Sequence, residues 1–176
     1  MPEERNEIVI RRATEADADV IAMLGFVTFF EAYFEQDDPQ DLASYLAENF
    51  TPERIREEMS VPNAAFFLCY RDGYAAGYAK LLAGSRAEGL TGLNPVELNR
   101  IYLVERYWGK ALGVRLLTHC EDEARRLGHD TLWLGVWQEN HRGLSFYAKH
   151  GFRKVGTITF PYGSTTGIND VLEKPL

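Results

Sequence analysis

Apolar positions along this chain change their spacing several times, and each change marks an element. Residues Ile8–Arg12 alternate between apolar and polar and predict a first strand. Thr14 stands three residues ahead of Asp17, the spacing of a capping box, and apolar residues at 20, 21, 24, 27 and 30 carry a helical period to about Phe34. Asp38-Pro39 and Thr51-Pro52 each set a capping side chain before a proline, which predicts short helices over 39–49 and 52–59. Residues 65–70 and 75–82 are apolar runs on either side of Arg71-Asp72-Gly73-Tyr74, a hairpin signal. A loop over 84–95 with three glycines leads to a strand over 97–104 and a helix over 109–127 that Gly128 closes. A strand over 131–136, a helix from Asn140 to His150 ended by Gly151, and strands over 152–160 and 168–173 complete the pattern. Strands and helices mixed in this order predict an α/β (α+β) domain around one sheet rather than a clean βαβ repeat.

Composition narrows the class. A chain of 176 residues, 45% hydrophobic and 26% charged, is expected to form one domain over 1–176 with a sizeable core of its own. The start is polar and acidic, so no signal peptide is expected. The longest apolar run, 21–30, is too short to span a bilayer and fits a buried helix. Cys69 and Cys120 are isolated in apolar surroundings, which predicts reduced core thiols and a cytoplasmic protein. The net charge of −7 argues against a nucleic-acid partner and mildly favours cationic ones. The acidic residues are uneven: Glu31, Glu35, Asp37, Asp38, Asp41 and Glu48 crowd between the aromatic run 29–34 and Phe50.

The stretch 97–117 carries the chemistry. It reads as an apolar strand entering a short basic turn with glycines and then an amphipathic helix. A helix start presents unpaired N–H groups and a positive dipole end, a ready site for a phosphate or pyrophosphate. Arg106 and Lys110 add mobile positive charge, while Gly109 and Gly113 allow a ligand close to the backbone. A Walker loop is excluded, because Val104 and Ala111 stand where its first glycine and its hydroxyl belong. The dinucleotide spacing Gly-x-Gly-x-x-Gly is absent as well.

Three features occur in order: Ile101-Tyr-Leu-Val-Glu-Arg-Tyr-Trp-Gly-Lys-Ala-Leu-Gly113, Leu132-Trp-Leu-Gly-Val-Trp137 followed by Asn140, and Leu144-Ser-Phe-Tyr-Ala-Lys-His-Gly-Phe152. Together they resemble the GNAT superfamily of acetyl-CoA-dependent N-acetyltransferases, over roughly residues 8–174. Glu97-x-x-Arg-Ile-Tyr102, the Phe30-x-x-x-Phe34 region with its acidic follow-on, and Phe146-Tyr147 are similar to the PaiA-type spermidine/spermine N-acetyltransferases. The resemblance implies a GNAT-like fold with a central, mostly antiparallel mixed sheet of about seven strands flanked by helices. It implies acetyl-CoA as co-substrate, held by Ile101, Tyr102, Leu103, Arg106, Trp108, Gly109, Lys110, Ala111, Leu112, Gly113, Asn140 and Tyr147. Trp108 and Ala111 depart from the family's usual Gln/Arg and first glycine. Neither change removes a backbone N–H donor, although Ala111 adds a methyl group near the pyrophosphate.

Acetyl transfer to an amine poses two problems. A primary alkylamine with a pKa near ~10.4 must lose a proton at neutral pH, which costs roughly 4 kcal/mol, so a general base is needed. Glu97, on the central strand where the resemblance places a catalytic glutamate, is the candidate; a solvent-facing strand-end glutamate is the bland alternative. The departing thiolate needs a proton, which a phenol can donate at neutral pH. Tyr147 matches the family's tyrosine, against a plain packing role. The acceptor expected is a polyamine or a similar small cationic amine, with Glu31, Tyr33 and Glu35 nearest to it. Other amines, such as a peptide N-terminus, an amino acid or an amine toxin, are the alternative within the class, and a non-catalytic acetyl-CoA sensor the alternative outside it. The histidines and cysteines lack ligand spacing, so no metal is expected. No nucleic-acid or membrane partner is implied, and the reading is compatible with a homodimer.

Overall fold

The computed structural model describes residues 7–176. Among them the elements run β1 (Ile8–Arg12), α1 (Ala18–Tyr33), α2 (Pro39–Asn49), α3 (Pro52–Met59), β2 (Ala64–Arg71), β3 (Tyr74–Ala83), β4 (Pro95–Leu103), α4 (Leu112–Arg126), β5 (Thr131–Trp137), α5 (His141–Lys149), β6 (Arg153–Tyr162) and β7 (Thr165–Pro175). The strands form one mixed sheet in the order β1-β2-β3-β4-β5-β7-β6. β4 and β5 run parallel, while β1–β2, β5–β7 and β6–β7 are antiparallel. This is the expected fold class.

Local chemistry sets the boundaries. Asp72 and Gly73 adopt φ of 53° and 84°, the pair of left-handed residues that a two-residue hairpin turn requires between β2 and β3. Asp38 accepts the N–H groups of Gln40 and Asp41 at 2.9 and 3.2 Å, and Thr51 accepts that of Arg54 at 3.1 Å, so both cap-plus-proline starts are real. The helix expected from 109 starts three residues later, at Leu112. A 3-10 turn over Glu105–Tyr107 takes up the preceding residues.

The chain divides into two compact units, residues 1–80 with 100–119, and residues 81–99 with 120–176. In the first, α1 packs on α2 and α3. Its buried stripe is Ala18, Ile21, Ala22, Leu24, Gly25, Thr28 and Phe29. Val27 and Phe30, which the helical period assigns to that face, are exposed instead. The reason is that α1 is apolar nearly all round, so spacing alone does not choose a face. Glu58 on α3 is buried and takes Arg100 in a two-pronged pair at 2.8 and 3.1 Å and Lys80 at 2.8 Å. Burial works against its charge, but Arg100 and Lys80 outweigh that and hold the carboxyl below its ordinary range.

In the second unit, Trp133, Leu90 and Val171 pack with Ala87, Val155 and Ile158. Glu173, 0% exposed, accepts from the Thr91 N–H at 2.9 Å, the Thr91 hydroxyl at 2.7 Å and Arg153 at 2.7 Å. That grip fastens the glycine-containing loop between β3 and β4 to the sheet.

Candidate active site

The turn ahead of α4 is built from unusual backbone. Trp108 is extended (φ −64°, ψ 146°), Gly109 lies at φ 71° and Ala111 at φ 62°. A Cβ at Gly109 would meet nothing within 4 Å, so glycine serves there for its conformation and not for space. The Trp108 indole N–H donates to the Leu103 carbonyl at 2.8 Å and closes the turn. The Arg115 N–H donates to the Ala111 carbonyl at 3.1 Å, the first rung of the helix, so the N–H groups of Leu112, Gly113 and Val114 precede the hydrogen-bond ladder. Arg106 and Lys110 are exposed and lie 5.5 and 5.9 Å from the centre of the Tyr107 ring. Among the described residues neither enters an ion pair, which leaves two cations free beside a positive helix end. These features fit a diphosphate.

Other predicted cofactor residues contribute differently from one another. The Leu112 side chain is fully buried, so only its backbone can face a ligand. The Tyr102 ring packs edge-on against Tyr78 at 5.7 Å and Phe50 at 6.5 Å. Burial pushes its phenol up, so it stays protonated. Ile101 and Leu103 are half-buried.

Of the residues expected nearest the acceptor, Glu31 is half-buried and its Oε2 accepts the Glu105 N–H at 2.9 Å. It therefore braces the start of the basic turn, a role the sequence reading did not foresee. Tyr33 lies 4.5 Å from the Phe29 ring, inside an aromatic cluster with Tyr45 and Phe50. Glu35 is exposed just past the end of α1. Beside it, Phe30 and Phe34 stack at 5.2 Å while remaining 46% and 48% exposed.

Within the second unit, Glu97 lies on β4 opposite Trp133 of β5. Val96 and Leu98 are buried, so Glu97 and Asn99 share the other face of the strand. The Glu97 Oε2 accepts the Ser85 hydroxyl at 2.5 Å and its Oε1 accepts the Asn99 amide at 3.0 Å. Neither donor was anticipated; the i, i+2 spacing of Glu97 and Asn99 could have shown the second, while Ser85 lies twelve residues away across a loop. Asn140 caps α5, its Oδ1 accepting the Gly143 N–H at 2.9 Å. Tyr147 stands two turns further on, half-buried, with its ring 5.4 Å from both Phe146 and Phe152.

Burial pushes the Cys69 thiol up to about 11 and raises that of Cys120 too, so neither is a ready nucleophile. His119 packs on Phe67, and His150 meets the Phe146 carbonyl at 2.7 Å. No cluster of three His, Cys, Asp or Glu among the described residues could hold a metal ion. No helix among them is long and apolar enough to cross a membrane.

A model of the Acetyltransferase (GNAT) family matches residues 25–152, and the chain belongs to this family of acetyl-CoA-dependent N-acetyltransferases. An uncharacterized N-acetyltransferase of Mycobacterium tuberculosis is 34% identical over 148 residues, covering 84% of this chain and 90% of its own. A spermidine N(1)-acetyltransferase of Thermoplasma acidophilum is 25% identical over 154 residues, covering 85% and 91%. The crystal structure of PaiA N-acetyltransferase from Thermoplasma acidophilum in complex with coenzyme A has a TM-score of 0.79 at 24% identity, covering 97% of this chain and 99% of that one.

Proposed function

We propose that the chain, as a single acetyltransferase domain, acetylates a small cationic amine, with polyamines such as spermidine or spermine first. Acetyl-CoA supplies an activated thioester; its diphosphate would lie over residues 108–113, with Arg106 and Lys110 beside it. Asn140, whose Oδ1 is committed to capping α5, retains its amide N–H groups for the pantetheine arm. Glu97 takes the proton that the attacking amine must lose, directly or through a water molecule. Tyr147 gives its phenolic proton to sulfur as the C–S bond breaks, and the phenolate recovers a proton, through water, from the nitrogen as it becomes an amide.

The observation that carries this reading is the environment of Glu97. Among the described residues the four buried carboxylates are all tied to cations: Glu58 to Lys80 and Arg100, Glu121 to Lys174, Asp170 to Lys154 and Glu173 to Arg153. Glu97 is held by neutral donors alone, and among the described residues it forms no ion pair. A carboxylate locked to a cation resists protonation. Glu97, held by a hydroxyl and an amide, keeps lone pairs that no cation occupies.

For the acceptor, the stacked pair Phe30–Phe34 beside exposed Glu35 and the acidic stretch that follows suits a chain of ammonium groups separated by methylenes. The spermidine acetyltransferase among the relatives supports the same class. Acetyl-CoA consumption across a panel of polyamines, amino acids, peptide N-termini and aminoglycosides tests it. Efficient turnover of spermidine is expected. Polyamines ignored while neutral amines are turned over would reject the acceptor, and no turnover of any amine would reject the catalytic reading.

A further inference from the structure

We propose that Ser85 is a positioning residue that serves Glu97 in both of its protonation states; this rests on the reading of Glu97 as the base. Glu97 has one donor on each oxygen, Ser85 on Oε2 and Asn99 on Oε1. The two donors are not equivalent. The NH2 group of an amide can only donate, whereas a hydroxyl donates or accepts by rotating about a single bond. When the amine gives up its proton, the new O–H forms on Oε2. The Ser85 hydroxyl then turns its own hydrogen away and accepts from Oε2, keeping its proton throughout. The proton leaves Glu97 for water before the next cycle, so the step balances without a further reactant. No heavy atom moves, and Glu97 is hydrogen-bonded before and after. Asn99 meanwhile holds Oε1 and fixes the rotation of the carboxylate plane.

Ser85 is itself fixed. It follows the end of β3 by two residues, in a loop that would otherwise be free to drift. Arg86, next in sequence, donates to the carbonyls of Leu90 at 3.3 Å and Gly92 at 2.9 Å, drawing the loop into a closed turn. Thr91 is fastened through both its N–H and its hydroxyl to Glu173, which is fully enclosed. Loop, sheet and base are thus one hydrogen-bonded assembly, and among the described residues the Ser85 hydroxyl is the one hydrogen bond that the Glu97 carboxylate receives from outside β4.

The test is steady-state kinetics of Ser85→Ala, Ser85→Thr, Glu97→Gln and the Ser85→Ala/Glu97→Gln double variant, with the amine and acetyl-CoA varied separately. Ser85→Ala should lower kcat about 10- to 100-fold while leaving the KM for acetyl-CoA within about twofold. Ser85→Thr, which keeps the hydroxyl, should recover most of the loss. In the Glu97→Gln background, Ser85→Ala should add less than about twofold, because there is no proton acceptor left to position. Wild-type kcat in Ser85→Ala, with Glu97→Gln inactive, overturns the proposal and leaves the base assignment standing. An undiminished Ser85→Ala effect in the double variant overturns it too, since Ser85 would then act elsewhere. Full turnover by Glu97→Gln rejects the base and this proposal together.

Discussion

Tyr147 carries its hydroxyl on α5, a helix of nine residues, with its ring seated between Phe146 and Phe152. Replacing it by phenylalanine keeps both ring contacts and deletes only the oxygen. Tyr147→Phe should therefore fold as the parent does and bind acetyl-CoA with little change, while kcat falls by about two to four orders of magnitude. An unchanged kcat would show that the thiolate leaves without this phenol. At this scale the sequence was informative where a residue acts alone or within one element. Asn140 as a cap and Asp38 before its proline could be read, because each bonds to backbone two or three residues on. Ser85 on Glu97 and Glu31 on Glu105 could not. Their partners lie 12 and 74 residues away, and a hydroxyl or carboxylate at an isolated position looks the same whether it faces solvent or a neighbour.

At the scale of elements, the strand–turn–helix was legible but its joint was not. A helical period does not reveal where left-handed residues stop a helix from starting, and here Gly109 and Ala111 delay it to Leu112. Ala111 is the informative departure. An L-residue in this conformation costs roughly 1–2 kcal/mol, of which the greater freedom of glycine in the unfolded chain would take back part. Ala111→Gly should raise stability by about 0.5–1 kcal/mol in urea denaturation, and lower stability would show that the turn does not strain alanine. Two residues on, Gly113 lies in the first turn of α4. An aspartate there is favoured by the helix dipole when no ligand is bound. Gly113→Asp should thus be as stable as the parent yet lose coenzyme A by repulsion of its phosphates. Calorimetry showing wild-type affinity would move the diphosphate away from this helix. The buried face of α1 was not legible for a related reason: with Met23, Phe26 and Phe30 exposed and Ile21, Leu24 and Phe29 buried, hydrophobicity alone carries no direction.

The balance of buried charge belongs to the whole molecule. Glu58 joins α3 to β3 and β4 by holding Lys80 and Arg100, and Arg54 on its own helix lies 3.5 Å from Oε1, so one carboxylate faces three cations. Neutralising it removes the carboxylate that Lys80 and Arg100 share, and Glu58→Gln should cost about 3 kcal/mol at neutral pH. The sign of the pH dependence follows from the direction of the shifts. Arg11 donates to Asp17 and, against the cost of burial, holds it at about 2. Burial opposes the charge on Glu58, Asp170 and Glu173, yet their hydrogen bonds and cations bring each below its ordinary value. A carboxyl depressed in the folded state contributes stability above its unfolded value, near ~4, and loses it as the pH falls through the folded value. Urea midpoints of the parent protein should therefore be level above pH ~6 and fall steadily between about pH 5 and 2. Glu58→Gln should start lower and fall less steeply, because it no longer has that proton to take up. The two curves should converge in acid, where Glu58 is protonated in the parent as well. A stability difference of the same size at pH 3 and pH 7 would mean that Glu58 contributes by packing and hydrogen bonding, and that its charge does not stabilise the fold.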